Sequence, residues 1–546
     1  MPPERETLEV DVLFVGGGPA SLSGALRLAQ LVRARGLTPA PTIVVLEKGR
    51  ELGNHNLSGA LLDPSALADL VPDYATRAPL ESPVTSEQVH WFLDARRTVR
   101  LPGPLIPPPM RNRGCSVVSV SRLTRWLGEE AAAAGVQVLP GTAASELLVE
   151  QDRVVGIQTA DAGLDKRGQR KPNFQPGINI RAKVTVFGEG PKGTLAEQVI
   201  QQFGLRARAL PPMYSLGVKE VIELPDHQLA GQVLHTLGYP LPLDTFGGGF
   251  LYGMQGPYLS VGFVVGMDWV DPRTDPQLLL QQWKLHPVVH RLLRGGRVVE
   301  FGARMIPEGG CYAVPTPAAP GALLIGDAIG LVNVPRLKGI HLAMRSGMLA
   351  AEAIVEALAD HAAADRHLAG YADAVARSSI MQELWRTRNW RQAFQHGMLP
   401  GMIRTQLQAA FGGRDWAERL PIHPARERLR PAASASPLAS APSTDGTLIL
   451  DKRTDVYLSK TQHEEDQPAH MLIPDRQVCE ECHALYDAPC TKFCPGNVYA
   501  WDEGRREITV SHANCLHPRA CEPGCPFGNI LWRPPPAGGG PRNRLT

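Results

Sequence analysis

The sequence predicts a mixed α/β (α+β) chain: a Rossmann-like nucleotide-binding domain, an inserted antiparallel sheet domain and a small C-terminal ferredoxin-like module. Three observations carry that prediction. A glycine-rich turn follows the apolar run Glu9–Val15 and opens a helix-like stretch; Tyr214 to Gly266 mixes glycine, aromatics and alternating β-branched residues; and seven of the nine cysteines fall between Cys479 and Cys525. With 546 residues the chain has room for several domains, and 43% hydrophobic and 20% charged residues exclude wholesale disorder. A formal charge of +2, with no long basic run, argues against nucleic acid as a partner. No uninterrupted apolar run reaches spanning length, and the start, Met1 to Val10, is acidic and polar. Neither a membrane span nor a signal or transit peptide is therefore expected.

In chain order, EVDVLFV reads as a strand, GGGPAS as a turn, LSGALRLAQLVRAR as a helix and TIVVLEK as a second strand. Further strands are expected at Val136–Leu139, Val154–Thr159 and Ala182–Gly190, the last ending in glycines. GALLIGDAIG, from Gly321, repeats the strand-then-glycine pattern, and His341–Leu358 has helical character. Proline, serine and alanine crowd Pro424–Thr447, which reads as a linker or a surface-hugging segment. The expected divisions are 1–210 and 311–421 for the two parts of the nucleotide domain, 211–310 for the sheet domain, 422–447 for the linker and 448–546 for the cysteine-rich module.

Gly16, Gly18 and Ser21 occupy the three positions of a G-x-G-x-x-G fingerprint directly after a strand. The first two positions allow backbone N–H groups to approach a pyrophosphate at a helix N-terminus, and the third must be small for the helix to pack on the sheet. Glu47, ending the second strand, is placed to accept hydrogen bonds from a ribose. Asp327 follows another buried strand, where a carboxylate holds the ribityl or phosphate end of a flavin or simply caps a helix. The turn Gly188–Gly190 supplies a third backbone approach. Three such turns spread along the chain fit a dinucleotide in a crevice, and FAD is the expected cofactor.

The cysteines are spaced Cys479-x2-Cys482-x7-Cys490-x3-Cys494-Pro495 and Cys515-x5-Cys521-x3-Cys525-Pro526. In two-cluster ferredoxins the cysteine of each Cys-Pro ligates the cluster of the other half. One site then uses Cys479, Cys482, Cys490 and Cys525, and the other Cys494, Cys515 and Cys521. The second is one thiolate short because Pro518 stands where a middle cysteine belongs; a three-iron cluster, recruitment of His517 and absence of that site all remain open. A zinc ribbon is the competing reading of the same cysteines.

Across nearly its whole length the chain resembles the electron-transfer flavoprotein:ubiquinone oxidoreductase family. The resemblance is carried by GGGPASLSGALRL, LEKGRELGNHNLSGALLDP, AKVTVFGEGPKGTLA, LHTLGYPLPLDTFGGGFLYG, LVNVPRLKGIHLAMRSG, HEEDQPAH, CPGNVY and NILWRPPPAGGGP. It implies oxidation of reduced electron-transfer flavoprotein and delivery of electrons, through FAD and a [4Fe–4S] cluster, to a membrane quinone, ubiquinone or menaquinone. It also implies a monotopic protein on the cytoplasmic face of a bacterial inner membrane, or on the mitochondrial inner membrane in a eukaryote. The implied FAD-binding residues are Gly16, Gly18, Pro19, Ala20, Ser21, Glu47, Lys48, Ser58, Gly59, Gly190, Asp327, Gly339 and Ile340. Gly247 and Gly248 would lie against the quinone, and Gly339 would start a helix whose dipole faces the flavin. The family's cluster pattern matches Cys494, Cys515 and Cys521 but not Pro518, and Cys479, Cys482, Cys490 and Cys525 are additional. A second cluster, three-iron or four-iron, is thereby raised.

Two segments suit contact with lipid. Leu101–Met110 is apolar and proline-rich, flanked by Arg111 and Arg113, and His396–Phe411 has an apolar stripe with Arg404 on its polar side. Both could equally cover the core. No residue pattern identifies the proton donor to a quinone, with His235 the one suggestion. The alternative functions are a fused quinone-reducing subunit of an electron-bifurcating complex, a flavin hydroxylase or isoprenoid reductase, and a zinc-stabilised interaction protein.

Overall fold

A computed structural model describes residues 5–360, 362, 364–415, 417–434 and 441–546. Strand β1 (Thr7–Val15) becomes fully apolar and buried in its second half, so it sits at the centre of a sheet. Helix α1 (Pro19–Arg35) starts immediately after it, with Gly18 as N-cap and Pro19 at the first helical position. The helix stops where Gly36 takes a left-handed conformation and donates its N–H to the carbonyls of Val32 and Arg33. Strand β2 (Ile43–Glu47) returns parallel to β1. The sheet order across its main path is Ala318–Ala319, Ala322–Leu324, Asn179–Phe187, β1, β2 and Gln137–Pro140, with the hairpin Ala144–Glu150/Arg153–Thr159 on the start of Asn179–Phe187. A second long helix, α2 (Ile340–Ala359), crosses α1 so closely that a Cβ on Gly347 would lie 2.0 Å from the Ala20 carbonyl oxygen. Glycine at that position is what lets the two helices pack together on one face of the sheet.

The second sheet has seven strands. Their order is Arg297–Pro307, Tyr214–Glu223, Tyr258–Gly266, Gly247–Gly253, Gln232–Gly238, Ser86–Phe92 and Thr98–Arg100. The last two correct the expected division at residue 210, because they come from within the first nucleotide-binding segment. Ser86–Phe92 pairs in parallel with Gln232–Gly238 and sends Phe92 into the core that holds Leu234 and Phe263. Such a long-range parallel pairing leaves no local signature in the sequence.

The cysteine-rich module is not a separate bead. Phe493, Tyr499, Cys515 and Cys521 belong to the same apolar core as Leu216, Phe263 and Trp283 of the second sheet. Lys284, fully buried, pairs with Glu220 at 2.6 Å and also donates to the carbonyl of Leu448. Gln277 donates to the carbonyl of Leu450 at 3.0 Å and to Asp455 at 2.7 Å. Leading into the module, Arg428 is salt-bridged to Asp268 at 2.6 Å and the Arg430 N–H bonds Val270. The described part of the expected linker therefore hugs the body; residues 435–440 of it lie outside the described residues. At the end of the module, backbone N–H groups of Arg544, Leu545 and Thr546 all donate to Glu300 at 3.0–3.2 Å.

Candidate functional site: a nucleotide cleft beside two cysteine sites

A long cleft runs from the glycine turn after β1 to the inner face of the second sheet. Gly16, Gly18, Pro19, Ala20, Glu47, Lys48, Ser58, Gly59, Gly190, Asp327, Gly339 and Ile340 all line it. Gly16 has φ +100°, and a Cβ there would meet the Gly188 carbonyl oxygen at 2.6 Å, so the turn requires glycine. Ser21 stands apart from the cleft: it is buried in the first turn of α1, and its Oγ occupies the space that a side chain on Gly188 would need, 2.2 Å from an ideal Cβ. The missing third glycine is thus matched by a glycine on the neighbouring strand end. Glu47 accepts backbone N–H groups from Gly17 at 3.0 Å and Gly49 at 2.6 Å. Each carboxylate oxygen keeps a free lone pair for a ribose hydroxyl.

The cleft is lined by the cations Lys48, Lys219, Arg304, Lys338 and Arg519 and the carboxylates Glu47, Glu189, Glu308 and Asp327, and sequence reasoning missed all of those cations but Lys48. Arg304, in the strand Arg297–Pro307, reaches the cleft and faces Asp327 and Glu47. Burial pushes the Asp327 carboxyl up to about 6 despite Arg304. Burial brings Lys48, Lys219 and Lys338 down to about 8. The Lys219 ammonium is buried with no hydrogen-bond partner among the described residues. An orphaned buried donor of this kind calls for an acceptor-rich ligand. Gly339 caps α2, whose N-terminus opens into the cleft beside Lys338. The glycine turn at one end, with Lys219, Lys338 and a helix dipole at the other, fits a pyrophosphate-linked flavin whose ring gains negative charge on reduction. The signal for Arg304 was a cation set among apolar residues late in the strand, in GARMIP.

Gly247 and Gly248 do not line this cleft. Added Cβ atoms would meet the carbonyls of Val264 and Thr236 at 2.1 Å each, so cross-strand packing accounts for both glycines. They border an apolar cluster in which Val334, from the cleft wall, packs with Trp390, Phe394 and Met398, next to Leu237 and Phe246. His235 is also outside the cleft. Its Nε2 is 2.6 Å from the hydroxyl of Tyr252, which does line the cleft, and burial lowers the imidazole to about 3. His235 is therefore neutral at physiological pH and reaches the cleft only through Tyr252, which corrects its reading as a direct proton donor.

The cysteines form two groups. Cys479, Cys482, Cys490 and Cys525 surround a small apolar cavity walled by Ile473 and Ile530. Cys494, Cys515 and Cys521 are all buried and lie close enough to raise one another's thiols, after the larger effect of burial. The loop after Cys515 carries His517, Pro518 and Arg519 to the wall of the nucleotide cleft. The His517 ring packs among other imidazoles, 4.9 Å from His463 and 5.1 Å from His470 between ring centres. It is thus not placed as the missing ligand.

Helix α3 (Met398–Ala410) is inverted relative to a core helix. Leu399, Ile403, Leu407 and Phe411 are 54%, 66%, 43% and 66% exposed, while Thr405 and Gln408 are buried. Exposed Leu105 and Leu243 lie alongside: Gln406 bonds the Leu105 carbonyl at 2.8 Å, and the Met398 N–H bonds Leu243 at 2.7 Å. Among the described residues no helix is long and apolar enough to cross a membrane.

Comparison with known proteins bears on the same parts. Residues 214–306 match the family model for the ubiquinone-binding region of ETF-QO, and residues 446–544 match that for the 4Fe-4S region of electron transfer flavoprotein-ubiquinone oxidoreductase. The mitochondrial electron transfer flavoprotein-ubiquinone oxidoreductase of Arabidopsis thaliana is 39% identical, over 99% of this chain and 85% of its own. The Pseudomonas aeruginosa protein of the same name is 38% identical, over 98% of this chain and 99% of its own. Among solved structures, a geranylgeranyl bacteriochlorophyll reductase-like protein from Thermoplasma acidophilum superimposes with a TM-score of 0.55 at 19% identity, covering 76% of this chain and 93% of that one, a likeness of fold alone. The second sheet and the cysteine module carry the two family-model matches, relatives at 38–39% identity span nearly the whole chain, and the chain belongs to the electron transfer flavoprotein-ubiquinone oxidoreductase family.

Proposed function

We propose that this chain oxidises reduced electron-transfer flavoprotein and reduces ubiquinone at a membrane surface. The observation that carries the reading is the loop His517–Arg519, which begins at a buried cysteine of the metal-binding module and ends as the wall of the nucleotide cleft. Electron entry and electron delivery are thereby joined within one loop. When bound, FAD supplies the junction between one-electron and two-electron chemistry, and a [4Fe–4S] cluster supplies one-electron entry.

The residues of the chain have separable tasks in this reading. Gly16 and Gly18 present backbone to the pyrophosphate, Glu47 receives a ribose, and Asp327 with Arg304 holds the middle of the cofactor. Lys219, Lys338 and the α2 N-terminus, capped by Gly339 and opening at Ile340, favour negative charge on the flavin ring. Tyr252, backed by neutral His235, offers the cleft an O–H for protonating a quinone. The apolar cluster from Val334 to Met398, with Gly247 and Gly248 at its side, leads from the cleft to the exposed stripe on α3. A quinone whose tail stays in lipid follows that route, so the protein lies on the membrane through α3, Leu105 and Leu243. In a bacterium that surface is the cytoplasmic face of the inner membrane.

No observation favours an electron-bifurcating complex, and a flavin hydroxylase or a zinc-stabilised interaction protein leaves the joined cleft and thiol sites unexplained. The test is anaerobic turnover: purified protein, a catalytic amount of electron-transfer flavoprotein, its reducing dehydrogenase and a short-tailed ubiquinone. Quinol should form at one per two electrons supplied, and only with all components present. Quinol formation that ignores omission of the flavoprotein, or bleaching of the bound flavin without quinol, would overturn the assignment.

A further inference from the structure

Resting on the reading above, we propose that the chain holds two iron–sulfur centres: a [4Fe–4S] cluster on Cys479, Cys482, Cys490 and Cys525, and a three-iron cluster on Cys494, Cys515 and Cys521. The first set is complete and separate from the second. Its four residues surround one cavity, with Asn529 donating its N–H to Cys525 Sγ at 3.2 Å and its side-chain amide to Cys479 Sγ at 3.4 Å. Such donors stabilise coordinated sulfur.

The spread of the sulfurs suits a cluster better than a single ion. One zinc with bonds of about 2.3 Å needs its thiolates roughly 4 Å apart. Among the described residues, the only group of three or more such ligand atoms within 4.8 Å of one another is His463, His470 and His517; no cysteine trio qualifies. Thiols that face one cavity yet stand farther apart suit a cluster whose irons occupy its corners.

Two one-turn helices tie the sites together. Cys490–Phe493 starts at a ligand of the first set and runs into Cys494 of the second; Cys521–Gly524 starts at the second and runs into Cys525 of the first. Each spans about 6 Å of rise, which keeps the two centres adjacent. Cys479, Cys490 and Cys525 are partly exposed, whereas Cys494, Cys515 and Cys521 are buried beside the cleft. The outer site therefore lies nearer solvent, and the inner one is tied to the cleft wall by the loop His517–Arg519.

The inner site lacks a corner ligand. Pro518 has no donor atom; the groups that approach the thiols are the backbone N–H of His517, 3.4 Å from Cys515 Sγ, the backbone of Gly496 and Val498 at Cys494, and the Tyr499 hydroxyl at Cys521. Its ring is turned towards His463, His470 and Trp532. Three thiolates with no fourth thiolate suit three irons, and the Tyr499 hydroxyl serves as a hydrogen-bond partner of Cys521.

The full chain, purified anaerobically, is assayed for FAD, iron and acid-labile sulfide, with EPR of oxidised and dithionite-reduced protein. About seven irons per chain are expected, with one signal in the oxidised state and a different one after reduction. Cys482→Ser should remove the reduced-state signal and spare the oxidised one, and Cys515→Ser should do the reverse. Pro518→Cys supplies the missing thiolate, so it should raise the iron to about eight and abolish the oxidised-state signal. This gain-of-ligand variant keeps the test decisive if a serine variant fails to fold. Four irons that survive Cys482→Ser, zinc in the outer site, or an oxidised-state signal unchanged by Pro518→Cys would each overturn the two-centre assignment while leaving the electron-transfer reading intact. Protein with FAD and no iron would sink both.

Discussion

Replacing Ile403 and Phe411 together by aspartate should detach the protein from lipid without harming its fold. The α3 stripe offers Leu399, Ile403, Leu407 and Phe411 to the outside, and their exposed fractions amount to about two full side chains. At about 1.5–3 kcal/mol for each apolar side chain fully removed from water, the stripe is worth roughly 3–7 kcal/mol on insertion. Ile403 and Phe411 are each 66% exposed, so their loss forfeits about 2–4 kcal/mol, before any cost of bringing two carboxylates to the interface. Since 1.4 kcal/mol is a factor of ten, vesicle partitioning should fall by at least about 30-fold and up to about 700-fold. The assay is flotation with liposomes, alongside a melting curve and reduction of a water-soluble short-tailed quinone. Melting and short-chain quinone reduction should be unchanged, because neither side chain is in the core. Unaltered flotation by a folded double variant would refute the argument, since the exposed stripe would then be facing something other than lipid.

The remaining expectations concern the body of the protein. Gly188→Ala forces a Cβ to within 2.2 Å of Ser21 Oγ and should cost about 1–3 kcal/mol in thermal stability with loss of FAD; adding Ser21→Gly should restore much of both, and a double variant no better than the single one would refute the packing explanation. Asp327 titrates near 6 in the folded chain, above the usual 3.8, so between these values the folded form binds the extra proton and the stability of flavin-free protein should fall as pH rises through that window. The loss is at most about 3 kcal/mol, less because the carboxyl borders an open cleft, and Asp327→Asn should flatten that segment of a urea-melt pH profile. Lys284→Met leaves Glu220 buried without its 2.6 Å partner and should cost about 3–5 kcal/mol in chemical denaturation, whereas pairing it with Glu220→Leu should recover most of that.

The sequence made some parts plain and concealed others for physical reasons. Gly16, Gly18, Glu47 and Asp327 announced a cleft because backbone approach to a dinucleotide demands particular residues at local spacings. The two cysteine sets were readable because a metal cluster imposes spacing on the chain. Ser86–Phe92 was hidden: its partner is far away in sequence, and its parallel register is settled only by packing. Arg304, Lys219 and Lys338 were hidden as well, since the direction in which a strand or loop cation points depends on which face the sheet turns to the cleft. The glycines Gly247 and Gly248 carried an ambiguous signal, because a close approach of backbone looks the same in sequence whether the neighbour is a ligand or an adjacent strand. For α3 the apolar stripe was visible, but only the burial of Thr405 and Gln408 on the opposite side decides that the stripe faces outward.

Because Phe493, Tyr499 and Cys515 interdigitate with Leu216 and Phe263, and Lys284 anchors Leu448 from beneath, the metal-binding segment cannot be treated as a detachable cartridge. Assembly of inorganic sulfur and iron must then be synchronised with closure of the sheet rather than added to a finished flavoprotein. Cells starved of iron should accumulate a polypeptide that has lost its hold on FAD as well.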